Sequence, residues 1–232
     1  MLRVLEGPTL ISPTALELCD VITPDDEQEP FDLDSKTDEI TAGDLTIEVT
    51  YHETQADADS GANPISSPYL NDTNPQTIFV RAEDLDTSCI LSQGITLSLV
   101  VNPLPSPVVP TPLEVCDIDN EGFAEFTLTD KDLEIIGGEP GVVVSYYETQ
   151  LDAEEGVFAL ISPYTNIVSP SQIIYARAQY DLAPVDIGCF RVVELELIVN
   201  PTPIIPFEIP DLVICDDDGD GLSIFDLTDQ ED

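Results

Sequence analysis

The sequence predicts an all-β chain: tandem antiparallel β-sandwich modules of immunoglobulin or fibronectin III type. Three observations lead there. Landmarks recur at a period near 97 residues, the segments between them alternate apolar and polar residues, and proline-rich stretches separate the units. Cys19, Cys116 and Cys215 are 97 and 99 residues apart. Each opens the same order of parts: an apolar run, Cys-Asp, an acidic loop, then Phe-x-Leu. Tyr51-His-Glu-Thr-Gln-Ala-Asp-Ala returns as Tyr146-Tyr-Glu-Thr-Gln-Leu-Asp-Ala, and Ile78-Phe-Val-Arg-Ala as Ile174-Tyr-Ala-Arg-Ala. Such a period is too long for a solenoid unit and suits whole domains in a row.

The division that follows is the end of a preceding repeat with its linker at 1–12 and a sandwich at 13–103. A proline-rich linker follows at 104–112, a second sandwich at 113–201, a second linker at 202–210, and the start of a third repeat at 211–232. Leu2 to Pro8 resembles the repeat-ending segments Leu97 to Pro103 and Leu195 to Pro201, so the chain reads as an excerpt. No signal peptide is expected from MLRVLEGPTLISP.

Within the second repeat the strands are expected in order. Leu113 to Cys116 alternates, Phe123 to Leu128 is short and Phe-rich, and Val142 to Tyr147 is β-branched and aromatic. Gln172 to Tyr180 and Arg191 to Val199 alternate over longer runs. One helical turn is expected after Thr54 and after Thr149, where Thr-Gln-x-Asp has capping-box spacing, and another after Asp130. Proline at the density of NPLPSPVVPTP favours an extended, semi-rigid spacer.

Charge narrows the function classes. With 47 Asp+Glu against 6 Lys+Arg the formal net charge is -41, which repels nucleic acid and favours divalent cations. No apolar run reaches a membrane span, so no membrane insertion is expected. The lone His52 is not repeated, and no nucleophile elbow, phosphate loop or HExxH occurs, so the chain is not read as an enzyme.

Five cysteines fall two per repeat with one left over. The simplest pairing is Cys19-Cys89 and Cys116-Cys189, which implies an oxidising, extracellular compartment. Buried free thiols are the rival, and zinc is disfavoured by the absence of Cys-x-x-Cys. The acidic loops carry the metal reading. Asp216, Asp218 and Asp220 precede Gly221 in D-x-D-x-D-G, with Asp226 or Asp229 to close a Ca2+ site. The second copy offers Asp117, Asp119, Glu121 and Asp130; the first, with Asp20, Asp25, Asp26 and Glu27, lacks the glycine. A solvated acidic turn is the alternative for each. Tyr51, Tyr146, Arg81 and Arg177 read as core and sheet residues, the arginines pairing with a carboxylate on a neighbouring strand. Asn71-Asp-Thr73 is a glycosylation sequon.

Taken together, LxxCDxDxxG, FxLTD, YxETQxDA, QTIxVRAED and LELIVNP resemble the tandem repeats of very large surface proteins in Flavobacteria and other Bacteroidetes. That resemblance implies a secreted, cell-surface adhesin or filament of immunoglobulin-like modules. Proteins of that kind commonly carry a gliding-motility-associated C-terminal module exported by the type IX secretion system. The leading expectation is a structural stalk stiffened by disulfides, prolines and Ca2+, whose partners are the neighbouring repeats. A glycan- or protein-binding module, or a subunit assembling filaments by strand exchange, are the alternatives.

Overall fold

A computed structural model describes residue 5 and residues 7–181, 188–203 and 211–226. It contains two modules built alike. In the first, β1 (Leu16–Cys19) leads to β2 (Pro30–Phe31), a 3-10 turn (Leu33–Lys36) and α1 (Thr37–Thr41). Then come β3 (Ile47–His52), α2 (Gln55–Ser60), β4 (Tyr69–Leu70), β5 (Gln76–Asp84), β6 (Cys89–Leu91) and β7 (Thr96–Asn102). The second repeats this with β8 (Leu113–Asp117), β9 (Glu125–Phe126), a 3-10 turn (Leu128–Lys131) and α3 (Asp132–Ile136). It continues with β10 (Val142–Tyr147), α4 (Gln150–Glu155), β11 (Tyr164–Thr165), β12 (Ser171–Tyr180) and β13 (Phe190–Pro201).

The main sheets run β1-β7-β5-β3, with β6 also on β5, and β10-β12-β13-β8. Their alternation places Ile78, Val80 and Ala82 with Leu97, Leu99 and Val101 on one face, all buried. A second layer covers that face. It is the two-stranded β2–β4 ladder with the adjoining helical turn, which contribute Phe31, Leu33 and Ile40 to the same core. Phe126, Leu128 and Ile135 do the same against Ile174, Ala176, Leu195 and Leu197. The all-β sandwich expectation therefore holds, with one refinement. The first strand of each module pairs in parallel with the last, Leu16 beside Leu99 and Leu113 beside Leu197. Residues 211–226 form no strand or helix.

The capping prediction is met. Thr54 Oγ1 accepts from Asp57 N at 3.1 Å and donates to Asp57 Oδ2 at 2.6 Å; Thr149 and Asp152 repeat both contacts. The helices stop at Gly61 and Gly156, each in the left-handed region (φ 69° in both), where glycine is the residue without a steric cost. Arg81 and Arg177 both reach back to the helix before them. Each directs Nη1 to carbonyls at a helix end, Arg81 to Ala58 and Arg177 to Ala153 and Glu154. Arg177 also stacks on Phe190. Tyr51 and Tyr146 are buried, and their hydroxyls reach Thr37 and Asp132. His52 is fully buried, bonded through Nδ1 to Ala62 O and through Nε2 to Thr50.

Candidate functional site at the junction between modules

Strand register decides where the cysteines can meet. Cys19 lies level with Asn102 on β7, and Cys89 lies level with Asp84 on β5. Gln76 of β5 faces Leu99, so the level of Asn102 corresponds to position 73. Asp84 is therefore eleven positions further along β5, about 36 Å at roughly 3.3 Å per strand residue. A disulfide needs Cα atoms within about 7 Å. Cys116 and Cys189 are separated in the same way: Asn200 beside Cys116 is level with position 169, and Cys189 with Tyr180. The expected pairs Cys19-Cys89 and Cys116-Cys189 are thus corrected, because each would have to join opposite ends of one sheet. The bond that forms is Cys19–Cys189, with Cα atoms 5.5 Å apart and 170 residues between them in sequence. It joins the downstream end of the first module to the upstream end of the second.

The peptide connection follows the same course. Residues 103–112 are not a free spacer, because they dock on the module that follows them. Val108 N donates to Ile135 O at 2.8 Å, and Ser106 N donates to Glu139 Oε2 at 2.9 Å. Thr111 N donates to Glu134 Oε1 at 2.6 Å, while Lys131 Nζ holds both Thr111 Oγ1 and Glu134. The first module repeats the lock on its own leading segment: Ile11 N to Ile40 O, Thr14 N to Glu39, and Lys36 to Thr14 and Glu39. Lys36 beside Glu39, and Lys131 beside Glu134, hold those carboxyls below their ordinary range, with the Thr14 and Thr111 N–H groups adding to the effect. Since Ser106 is already fastened to the second module, only Pro103, Leu104 and Pro105 cross the gap.

Both tethers leave the first module side by side. Asp20 N donates to Asn102 O at 3.0 Å, so the disulfide strand and the exiting strand are bonded neighbours. Both arrive at the same end of the second module, where Tyr180, level with Cys189, donates its hydroxyl to Glu139. Burial, reinforced by that carboxylate, pushes the Tyr180 phenol up to about 12. Peptide and disulfide thus leave the first module as hydrogen-bonded neighbours and enter the second at one end.

The acidic loops follow Cys19 and Cys116 and so lie at the downstream end of the two modules. In the first, Asp20 Oδ2 accepts from Asp25 N at 2.7 Å and Glu29 Oε1 from Ile22 N at 2.7 Å. In the second, Asp117 Oδ2 accepts from Gly122 N at 2.6 Å. Burial alone would raise the Asp117 carboxyl, but the N–H of Gly122, with donors from Asp119 and Asn120, holds it below its ordinary value. Asp20 and Asp117 are each 3% exposed, and Oδ1 of each is buried without a hydrogen-bond donor.

A clamp that sequence reasoning missed closes these loops. Asn71 accepts from Glu29 N and donates to Glu27 O and Thr73 O. Asn166 accepts from Ala124 N and donates to Gly122 O and Val168 O. The sequon asparagine is therefore a buried structural residue (1% exposed), and a glycan on its amide would break the clamp. Its recurrence at Asn166 was the available signal, as was that of Thr14/Thr111, Lys36/Lys131 and Glu39/Glu134.

Among the described residues, the group that brings three carboxylates together is Asp216, Asp218 and Asp220, each with a ligand atom within 4.8 Å of the others. That spacing fits oxygens around a Ca2+ ion at 2.3–2.6 Å. Asp216 also accepts from Gly219 N and Gly221 N, both at 2.8 Å, and the Gly221 contact first among them holds its carboxyl low. Asp226 is described but lies outside this group, and Asp229 falls outside the described residues. Asp117, Asp119 and Glu121 are not gathered in this way, and Asp130 sits apart in the 3-10 turn. The two loops share their hydrogen bonds, Asp117 and Asp216 each accepting from the glycine N–H five residues on and Asp119 and Asp218 from the N–H two residues on, but Asp117 is buried whereas Asp216 is exposed.

No curated protein matches the chain. Solved structures similar to it include fibronectin(III)-like modules of Clostridium thermocellum CbhA, at 16% identity, covering 83% of this chain and 94% of that one, with a TM-score of 0.34. Human mucin-like protocadherin EC1-2 is similar at 11% identity over 84% of this chain and 98% of that one, TM-score 0.23. Drosophila N-cadherin EC1-4 is similar at 11% identity over 84% and 50%, TM-score 0.25. Residues 15–105 and 112–203 each match the Flavobacterium inter-domain disulphide bond domain, and the chain belongs to that family.

Proposed function

We propose that this chain is a length of structural stalk in an exported cell-surface adhesin or filament, in which each junction is closed twice, once by peptide and once by disulfide. The observation that carries this reading is the Cys19–Cys189 bond between modules. Extracellular placement rests on that bond, which persists in oxidising surroundings. The family's inter-domain disulphide supports a structural repeat; the surface role and the type IX route rest on the resemblance alone. The proposed mechanism is mechanical: a three-residue crossing beside a covalent staple holds successive sandwiches at a fixed angle and transmits tension along the chain. Small-angle scattering of the oxidised chain and of Cys19→Ser tests it. The oxidised protein should keep one maximum dimension, and the variant should show a broadened, more compact average from bending at the junction. Identical profiles would remove the mechanical role.

Calcium is a second element of the reading, supported by the Asp216, Asp218 and Asp220 grouping. Calorimetric Ca2+ titration with Asp218→Asn as the control tests it. A saturable signal lost in the variant supports a third-loop site, and equal weak signals in both reduce the loop to a solvated turn.

A further inference from the structure

We propose that each complete module carries a Ca2+ site of its own, anchored by the buried aspartate that follows its first cysteine, Asp20 in one module and Asp117 in the other. This deepens the calcium element of the stalk reading, because the two sites are separate from the third loop and belong to the modules that the Cys19–Cys189 bond joins. The two aspartates share one anomaly. Each is 3% exposed, and Oδ1 of each is buried with no hydrogen-bond donor. Neither has a lysine or arginine partner among the described residues. A buried carboxylate is retained where it is paired, hydrogen-bonded or bound to a metal, and half of each of these carboxylates is none of the first two.

The anomaly is built twice from different sequences. The first loop is longer than the second and has no glycine. Even so, Asp20 Oδ2 accepts from Asp25 N and Glu27 N, as Asp117 Oδ2 accepts from Gly122 N. Glu27 and Gly122 both take positive φ, 57° and 86°, and their carbonyls accept from the clamp residues Asn71 and Asn166. Each loop is thereby wrapped around its carboxylate, whose second oxygen is left inside without a donor. A further acid accompanies each. The Asp119 carboxyl lies within hydrogen-bond reach of the Asp117 carboxyl, two anions side by side. In the first loop Glu29 is also 3% exposed, with Oε1 on Val21 N and Ile22 N.

The donor set selects the ion. Along β8 Cys116 is exposed and Asp117 buried, so the thiol faces away from the site, and Cys19 is held in the disulfide. What remains is oxygen in an irregular loop, which suits the flexible coordination of Ca2+ better than the near-regular octahedron of Mg2+. Position gives the ion its effect. Asp20 N is bonded to Asn102 O, and Asp117 lies level with Pro201, each at the strand end where its module stops. Ca2+ there neutralises the buried charge and fastens the acidic loop to that strand end.

Calorimetric Ca2+ titration of the full oxidised chain, stripped with chelator, tests this. Carrying Asp218→Asn to silence the third loop, the chain should still bind two equivalents saturably. Adding Asp20→Asn or Asp117→Asn should leave one, and adding both should leave none. Asparagine keeps an acceptor for Asp25 N or Gly122 N and removes the buried charge. The melting temperature of the Asp218→Asn chain should rise in Ca2+, and that of the variant lacking both buried aspartates should not. Asp119→Asn, a change at an exposed residue, should weaken one of the two equivalents about tenfold, which keeps the site testable if a buried variant does not fold. No saturable binding in the Asp218→Asn chain, an unchanged count in the buried variants, or tighter binding of Mg2+ than of Ca2+ would overturn the inference. Two equivalents in the unmodified chain, untouched by Asp218→Asn, would support it while removing the third-loop site.

Discussion

The two modules carry the same cysteine on the same edge strand, yet Cys19 is bonded and Cys116 is free. Their own modules do not differ in a way that explains this. Each places its second cysteine eleven strand positions from the first. What differs is the neighbour: the upstream end of the second module lies against Cys19. Each module supplies one half of the Cys19–Cys189 bond, while its other cysteine, Cys89 or Cys116, is free.

A second difference sharpens the point. In the second module β13 runs unbroken from Phe190 to Pro201, whereas the first divides the same path into β6 and β7. On β5 the register shifts by two between them, since Asp84 faces Cys89 while Gln76 faces Leu99. The extra residues lie in the bend at 92–95 between the two strands, and Cys89 stays at the upstream end.

The largest effect should come from breaking the staple. Closing a loop of 170 residues is worth up to about 5 kcal/mol in the chain-entropy treatment. Cys19→Ser should lower the melting temperature by several degrees, and added reductant should bring the wild type to the same value. Next comes the loop clamp. Asn166→Ala removes three hydrogen bonds from a buried site and should cost about 3 kcal/mol. Asn71→Ala should cost a similar amount in the other module, so unequal losses in denaturant titration would show that the loops are not equivalent.

The pH response should affect both modules alike. Glu39 and Glu134 have carboxyls held low by Lys36 and Lys131. Their contribution is complete above the unfolded carboxylate value and is lost as pH falls through the lower folded one. Hydrogen exchange at Thr14 and Thr111 should accelerate together on that acid side. Tyr180 responds in the opposite sense: its raised phenol favours folding below the unfolded value near 10, and that contribution disappears as pH climbs towards about 12. Tyr180→Phe should flatten this alkaline loss. The smallest effect should be at the caps, where Thr54→Ala and Thr149→Ala remove the bonds to Asp57 and Asp152 and should each cost about 1 kcal/mol.

Much of the fold was legible because its signals are local or repeated. Alternation in QIIYARAQY gives β12, and Thr-Gln-x-Asp gives the caps of α2 and α4. The cysteine pairing was not, because a period says which residues are equivalent but not whether partners lie in one module or in two. Only the ladder, with Leu16 parallel to Leu99 and Cys89 beside Asp84, places the two sulfurs at opposite ends. The acidic loops were legible as carboxylate clusters, but the direction of each side chain was not. Asp117 and Asp216 accept from equivalent glycine N–H groups, yet Asp117 is buried while exposed Asp216 converges with Asp218 and Asp220. The docking of the proline segment depended on pairs such as Thr111 and Glu134, which are 23 residues apart and have no local signature.

Disulfide mapping of the oxidised chain, by proteolysis without reduction followed by mass spectrometry, tests the central claim most directly. A linked peptide pair containing Cys19 and Cys189 within one chain is the predicted result. Peptides joining Cys19 to Cys89, or Cys116 to Cys189, would contradict the account and return each module to a self-contained bond.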